Sequence, residues 1–81
     1  MNVQVRLFAR ARDLAGSERV EVELPDAATV GDLRMALGEA FPSLRSLVPN
    51  LLVAIGNDYA PDAARIGTGA EIACFPPVSG G

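Results

Sequence analysis

From Val3 onward apolar and polar positions alternate: Val3, Val5 and Leu7 share one side, with Gln4, Arg6 and Phe8 on the other. Successive side chains of an extended backbone leave on opposite faces, so this period of two predicts a half-buried strand. Residues 13–17, which include Gly16, read as a polar, flexible break. Val20, Val22 and Leu24 then alternate with Arg19, Glu21 and Glu23, a second strand. Two strands this near in sequence predict an antiparallel hairpin.

After Pro25-Asp26 the period changes to that of a helix. Val30, Leu33, Ala36, Leu37 and Ala40 make one apolar stripe. Thr29 precedes the stripe and Asp32 follows three residues later, the spacing of a capping box with Asp in place of Glu. Gly38 weakens this helix by about 1 kcal/mol relative to Ala, and Pro42 ends it at or before Phe41. Residues 43–50 read as irregular chain or a short helical turn. The apolar run of residues 51–55 predicts a central strand buried on both faces. Gly56-Asn57-Asp58 is a turn, residues 59–65 a loop with Pro61, and Gly67-Thr68-Gly69 a further turn. Residues 71–75 form the last strand, which Pro76-Pro77 must stop, because proline has no amide proton and fixes φ. Strand, strand, helix, strand, strand predicts a two-layer α+β domain of the ubiquitin-like β-grasp class. Its sheet would be mixed, with four to five strands and one main helix across one face. Residues 1–75 would be the domain and residues 76–81 a flexible tail.

Composition narrows the chemistry. With 81 residues and 49% hydrophobic content the chain is long and apolar enough for one modest core. No apolar run is long enough to span a membrane, and the first residues lack the charged and apolar regions of a signal peptide; a cytoplasmic protein is expected. A net charge of −3 argues against nucleic acid, which needs a clustered positive field. Arg6, Arg10 and Arg12 near the start instead suit an acidic protein partner. With no His and one Cys, neither a Cys/His metal site nor a His-assisted nucleophile can be built. Lys is absent too, so all seven basic residues are Arg. Glu21 and Glu23 read as a solvated strand face.

Cys74 is in phase with Ile72 and opposite Glu71, Ala73 and Phe75, so it should face the core as an inert thiol; the rival reading is a persulfide carrier. Phe75 points outward next to the diproline and reads as a partner contact. The tail, Pro76-Pro77-Val78-Ser79-Gly80-Gly81, is the informative feature. Diproline favours an extended, stiff conformation, and six extended residues reach at most about 20 Å. Glycines without Cβ can thread a narrow channel and approach a reactive centre.

These residues resemble the small-subunit family of molybdopterin synthase, the ubiquitin-like sulfur carriers. The resemblance runs nearly end to end. Phe8-Ala9-Arg10-Ala11-Arg12-Asp13-Leu14-Ala15-Gly16 is similar to the family's segment after its first strand. Leu24-Pro25, Ala28-Thr29-Val30 and Asp32-Leu33 match the approach to its helix, and Phe41-Pro42 the exit. Val53-Ala54-Ile55 and Asp58-Tyr59 match the next strand and turn, and Phe75-Pro76-Pro77-Val78-Ser79-Gly80-Gly81 is the most specific piece. The chain departs from the pattern at Gly56, where the family usually has Asn, and at Thr68-Gly69-Ala70, where Asp-Gly-Asp is common.

The resemblance implies a sulfur-donating, non-catalytic subunit of a sulfurtransferase. The Gly81 carboxylate would be adenylated by a ubiquitin-activating-like enzyme using ATP, then converted to a thiocarboxylate by a sulfur donor. Gly80 and Gly81 would thread into the large synthase subunit, in an assembly of two small and two large subunits. There the sulfur would pass to a cyclic pyranopterin phosphate, building the dithiolene of the molybdenum cofactor. Phe75, Pro76, Pro77, Val78, Ser79, Phe8 and Arg10, with Arg6 at the rim, would contact the partner. No cofactor or metal would bind here. The alternatives are a carrier for thiamin, tRNA thiolation or cysteine synthesis, a protein modifier joined through Gly81, and a plain interaction domain with an inert tail.

Overall fold

A computed structural model of the chain describes residues 1–77; Val78, Ser79, Gly80 and Gly81 lie outside the described residues. The alternating segments form β1 (Asn2–Leu7) and β2 (Arg19–Glu23), and their burial alternates residue by residue. They pair antiparallel, with Val3 opposite Val22 and Val5 opposite Val20. The connection holds a helix, α1 (Ala9–Ala15), whose last three residues fall in the segment 13–17 that reads as a polar break. Gly16 closes α1 in the left-handed region at φ 78°, its N–H donating to the Arg12 carbonyl at 2.9 Å, a conformation glycine adopts without a Cβ clash. Seven residues are too few for a helical stripe to repeat; only Ala11 is fully buried.

The main helix is α2 (Val30–Ala40), with its predicted capping box intact. Asp32 N–H donates to Thr29 Oγ1 at 3.3 Å, and Thr29 N–H donates to Asp32 Oδ2 at 3.0 Å. Val30, Leu33 and Leu37 are buried, whereas Ala40 at the last turn is exposed. The stripe therefore ends one turn earlier than its sequence period. Two 3₁₀ turns follow, Pro42–Leu44 and Val48–Asn50. Arg34 ties α2 to the loops around it, donating from Nε to Asp62 and from a terminal nitrogen to the Val48 carbonyl, both at 2.7 Å.

The remaining strands are β3 (Leu52–Ile55), β4 (Asp58–Tyr59) and β5 (Ile72–Phe75). The sheet order is β2-β1-β5-β3-β4, with β1 and β5 parallel and the other pairs antiparallel. This is the mixed, five-stranded β-grasp sheet, with α2 across one face. On the helix side Val3, Val5, Leu7, Val20, Val22, Val53, Ile72 and Cys74 join Val30, Leu33 and Leu37 in one core. Loop residue Ile66 enters the same core, its N–H bonded to the Ala28 carbonyl at 2.8 Å. β3 corrects one expectation. Val53 and Ala54 are buried, but Leu52 is 41% exposed on the face away from α2, so this strand is not covered on both sides. β4 begins at Asp58 and takes in Tyr59, positions that read as turn and loop.

Candidate functional site

Because β1 and β5 run parallel with Leu7 opposite Cys74, the residues after β1 arrive beside the end of β5. The Phe8 N–H donates to the Cys74 carbonyl at 3.3 Å. The Phe8 ring then stacks on Phe75, with centroids 4.6 Å apart and planes 14° from parallel. Across the sheet, Leu52 is opposite Phe75, and Ala54 is opposite both Ala73 and Tyr59. These pairings put all five on the outer face. Tyr59 meets the Phe75 ring edge-on at 6.4 Å and 77°. The arrangement is favourable for quadrupolar rings. Small Ala54 and Ala73 leave a shallow depression of about 270 Å³ between Tyr59, Phe75 and the Gly56-Asn57 turn.

The result is an apolar face of Phe8, Phe75, Tyr59 and Leu52 that no layer of the described residues covers. Tyr59 is 70% exposed and Leu52 41%. Arg6 borders it, its guanidinium carbon 5.2 Å from the centre of the Phe8 ring, within cation–π range. Pro76 and Pro77 follow Phe75 directly, so the chain leaves the sheet at the edge of this face. Of the sequence-predicted contact residues, the fold brings Phe8, Phe75 and Arg6 together, with Pro76 and Pro77 next in the chain. Arg10 lies exposed on α1. Val78, Ser79, Gly80 and Gly81 are outside the described residues.

The sequence does not mark Leu52 and Tyr59 as surface contacts. Leu52 is hidden in an unbroken apolar run, where no alternation marks which side chains face out. Tyr59 follows a turn signal, and its place in the sheet depends on a two-residue strand that no period reveals.

Cys74 points the opposite way. Its side chain is fully buried among core residues, and loss of hydration pushes its thiol from 9.0 up to about 12, against a smaller downward pull from Arg34. A neutral, buried thiol is a poor nucleophile, which fits the core reading. Among the described residues no group of carboxylates, His and Cys is placed to hold a metal ion. No helix of the described residues is long and apolar enough to cross a membrane.

Comparison with known proteins gives the chain's family and fold. The ThiS family model matches residues 5–81. The molybdopterin synthase sulfur carrier subunit of Arabidopsis thaliana is 33% identical over 81 residues, covering 100% of this chain and 84% of that protein. Small archaeal modifier protein 1 of Haloferax volcanii is 38% identical, over 94% of this chain and 97% of its own. The crystal structure of SAMP1 from Haloferax volcanii superposes with a TM-score of 0.88 at 36% identity, covering 100% of both chains.

Proposed function

The chain belongs to the ThiS family, and on that premise we propose that it carries sulfur for molybdenum cofactor biosynthesis as the small subunit of a molybdopterin synthase. One observation carries the reading: the apolar face built on the Phe8–Phe75 stack stands at the root of the Pro76-Pro77 tail. A partner that covers this face receives the tail at the same time. The relative named as a molybdopterin synthase sulfur carrier subunit supports the choice of pathway.

The chemistry follows from the tail's end group. A carboxylate is a poor acyl electrophile, so the Gly81 carboxylate first attacks the α-phosphorus of ATP on an activating enzyme. The product is an acyl-adenylate, with pyrophosphate released. A sulfur donor then displaces AMP and leaves a thiocarboxylate, ionised at neutral pH and strongly nucleophilic. Gly80 and Gly81, lacking Cβ, thread into the large subunit, where the sulfur attacks a carbon of the pyranopterin precursor, displaces an oxygen leaving group and forms a thioester whose acyl–sulfur bond water then cleaves. Hydrolysis returns the carboxylate for recharging. ATP belongs to the activating enzyme, and the large subunit supplies the catalytic residues. Two small and two large subunits form the working assembly, in the cytoplasm.

The composition suits a carrier whose terminus is made reactive. Side-chain amines and imidazoles are absent, and the one thiol is buried. An activated Gly81 therefore meets little on its own chain that could intercept it.

Mixing thiocarboxylated protein with the large subunit and the pyranopterin precursor tests the proposal. Dithiolene product should form, and deletion of Gly81 should abolish it. Thiocarboxylated protein that yields no product would sink the pathway assignment. The similarity to an archaeal modifier protein favours a second reading, conjugation of Gly81 to lysines on other proteins. No Lys or Arg follows Arg65, so trypsin would leave residues 66–81 on a target lysine rather than a short Gly-Gly remnant. Proteomics of cell extracts for that branched peptide decides this reading.

A further inference from the structure

The outer face of β1 and β2 sets two cations opposite one another. Arg6 and Arg19 are direct cross-strand partners, so their side chains leave the same face of the sheet. Like charges directly opposite one another on a sheet are unfavourable. The ion pairs among the described residues are Arg12–Asp13 and Arg34–Asp62, so neither Arg6 nor Arg19 is neutralised there. Both arginines line a groove of about 370 Å³, together with Gln4 and residues 69–71. Arg6 also lies over the Phe8 ring, so the groove is continuous with the apolar docking face. Glu71 lines the groove, and Glu21 is opposite Gln4 on the same face. Neither stands within ion-pair distance of Arg6 or Arg19.

We propose that this groove receives an aspartate or glutamate side chain of the large subunit, its carboxylate seated between the Arg6 and Arg19 guanidinium groups. The proposal rests on the docking reading above and specifies the partner's chemistry beside the aromatic cluster. Guanidinium forks match a carboxylate's two oxygens, and one carboxylate removes the repulsion between two cations. A nucleic acid fits poorly. Its run of phosphates would also meet Glu21, Glu23 and Glu71, on a chain of net charge −3. A single acidic side chain avoids them.

The test compares Arg6→Gln, Arg19→Gln and the double variant with Phe75→Ala, each titrated calorimetrically against the cognate large subunit at low and high salt. The double variant should bind about tenfold or more weakly at low salt. The difference from wild type should shrink as salt screens the pair. Thermal unfolding of the free double variant should stay close to wild type, since the relieved Arg6–Arg19 repulsion offsets the lost Arg6–Phe8 cation–π contact. Unchanged affinity of the double variant, while Phe75→Ala binds weakly, overturns the carboxylate seat and leaves the docking reading intact. Unchanged affinity of Phe75→Ala overturns the docking reading itself. Binding of a single-stranded oligonucleotide as tight as that of the large subunit, and lost in the double variant, would assign the groove to phosphate instead.

Discussion

Cys74 offers the sharpest test of where sulfur can reside on this chain. Its thiol is fully buried in the core and raised to about 12 from an ordinary 9.0. At pH 8 a thiol at 9.0 is about one part in ten thiolate, whereas one at 12 is about one part in ten thousand. Ionisation alone therefore slows native labelling by about a thousandfold, and burial requires the fold to open first. The same shift couples to stability. The folded-state value lies above the unfolded one, so the thiol's contribution is fully present below about pH 9 and is lost as pH rises towards 12. In that window the unfolded chain has released a proton that the folded chain still holds. Unfolding free energy should fall by about 1.4 kcal/mol per pH unit, on the order of 4 kcal/mol across the window. Denaturant titrations of wild type and Cys74→Ala at several alkaline pH values isolate this slope, because other titrating groups are common to both. The variant will be less stable overall through the cavity it creates, but its stability should depend less on pH. Rapid stoichiometric labelling of native protein by a thiol reagent at pH 8, with equal pH slopes, would refute the reasoning. It would also reopen a persulfide on Cys74 as the carried sulfur.

Three further outcomes follow from particular contacts. Phe75→Ala removes the stack on Phe8 and the edge contact with Tyr59; it should cost the free protein about 1–2 kcal/mol by denaturant unfolding, and large-subunit affinity by more than about 2 kcal/mol in calorimetry. Thr29→Ala deletes the acceptor for Asp32 N–H and should cost about 1 kcal/mol, with Thr29→Ser largely restoring it in the same unfolding assay. Ala27 sits at φ 62° in a turn closed by Ala28 N–H to the Pro25 carbonyl; Ala27→Gly should raise the denaturant midpoint, equivalent to about 0.5–1 kcal/mol, because relief of the left-handed strain exceeds glycine's extra unfolded-state entropy.

The departures from the family pattern lie where the backbone tolerates them. Gly56 turns at φ 62° and Gly69 at φ 78°. Asn, which the family usually places at the first position, also enters this region more readily than other side chains. The change from Asn to Gly therefore leaves the β3–β4 turn its geometry, and with it the placement of Tyr59 beside Phe75.

What the chain determined by itself was everything encoded at short range. Alternation in β1 and β2 names the side chains that enter the core, and the Thr29/Asp32 spacing starts α2. The phase of Cys74 with Ile72 turns the thiol inward, and Pro76-Pro77 ends β5 where the tail begins. Each depends on neighbours within a few residues. Long-range placement alone decided the rest. Phe8 and Phe75 stand 67 positions apart, and only the parallel pairing of β1 with β5 stacks their rings. Leu52 is apolar like its neighbours, and it is exposed because no layer of the described residues lies over the outer face. Arg6 and Arg19 read as ordinary polar positions on two strands until the register sets them opposite each other. Ala9–Ala15 is helical although too short to show a period, held by Ala11 in the core and Gly16 at its end. A sequence period records which side a residue faces; which residues then share that side is settled when the strands are brought together.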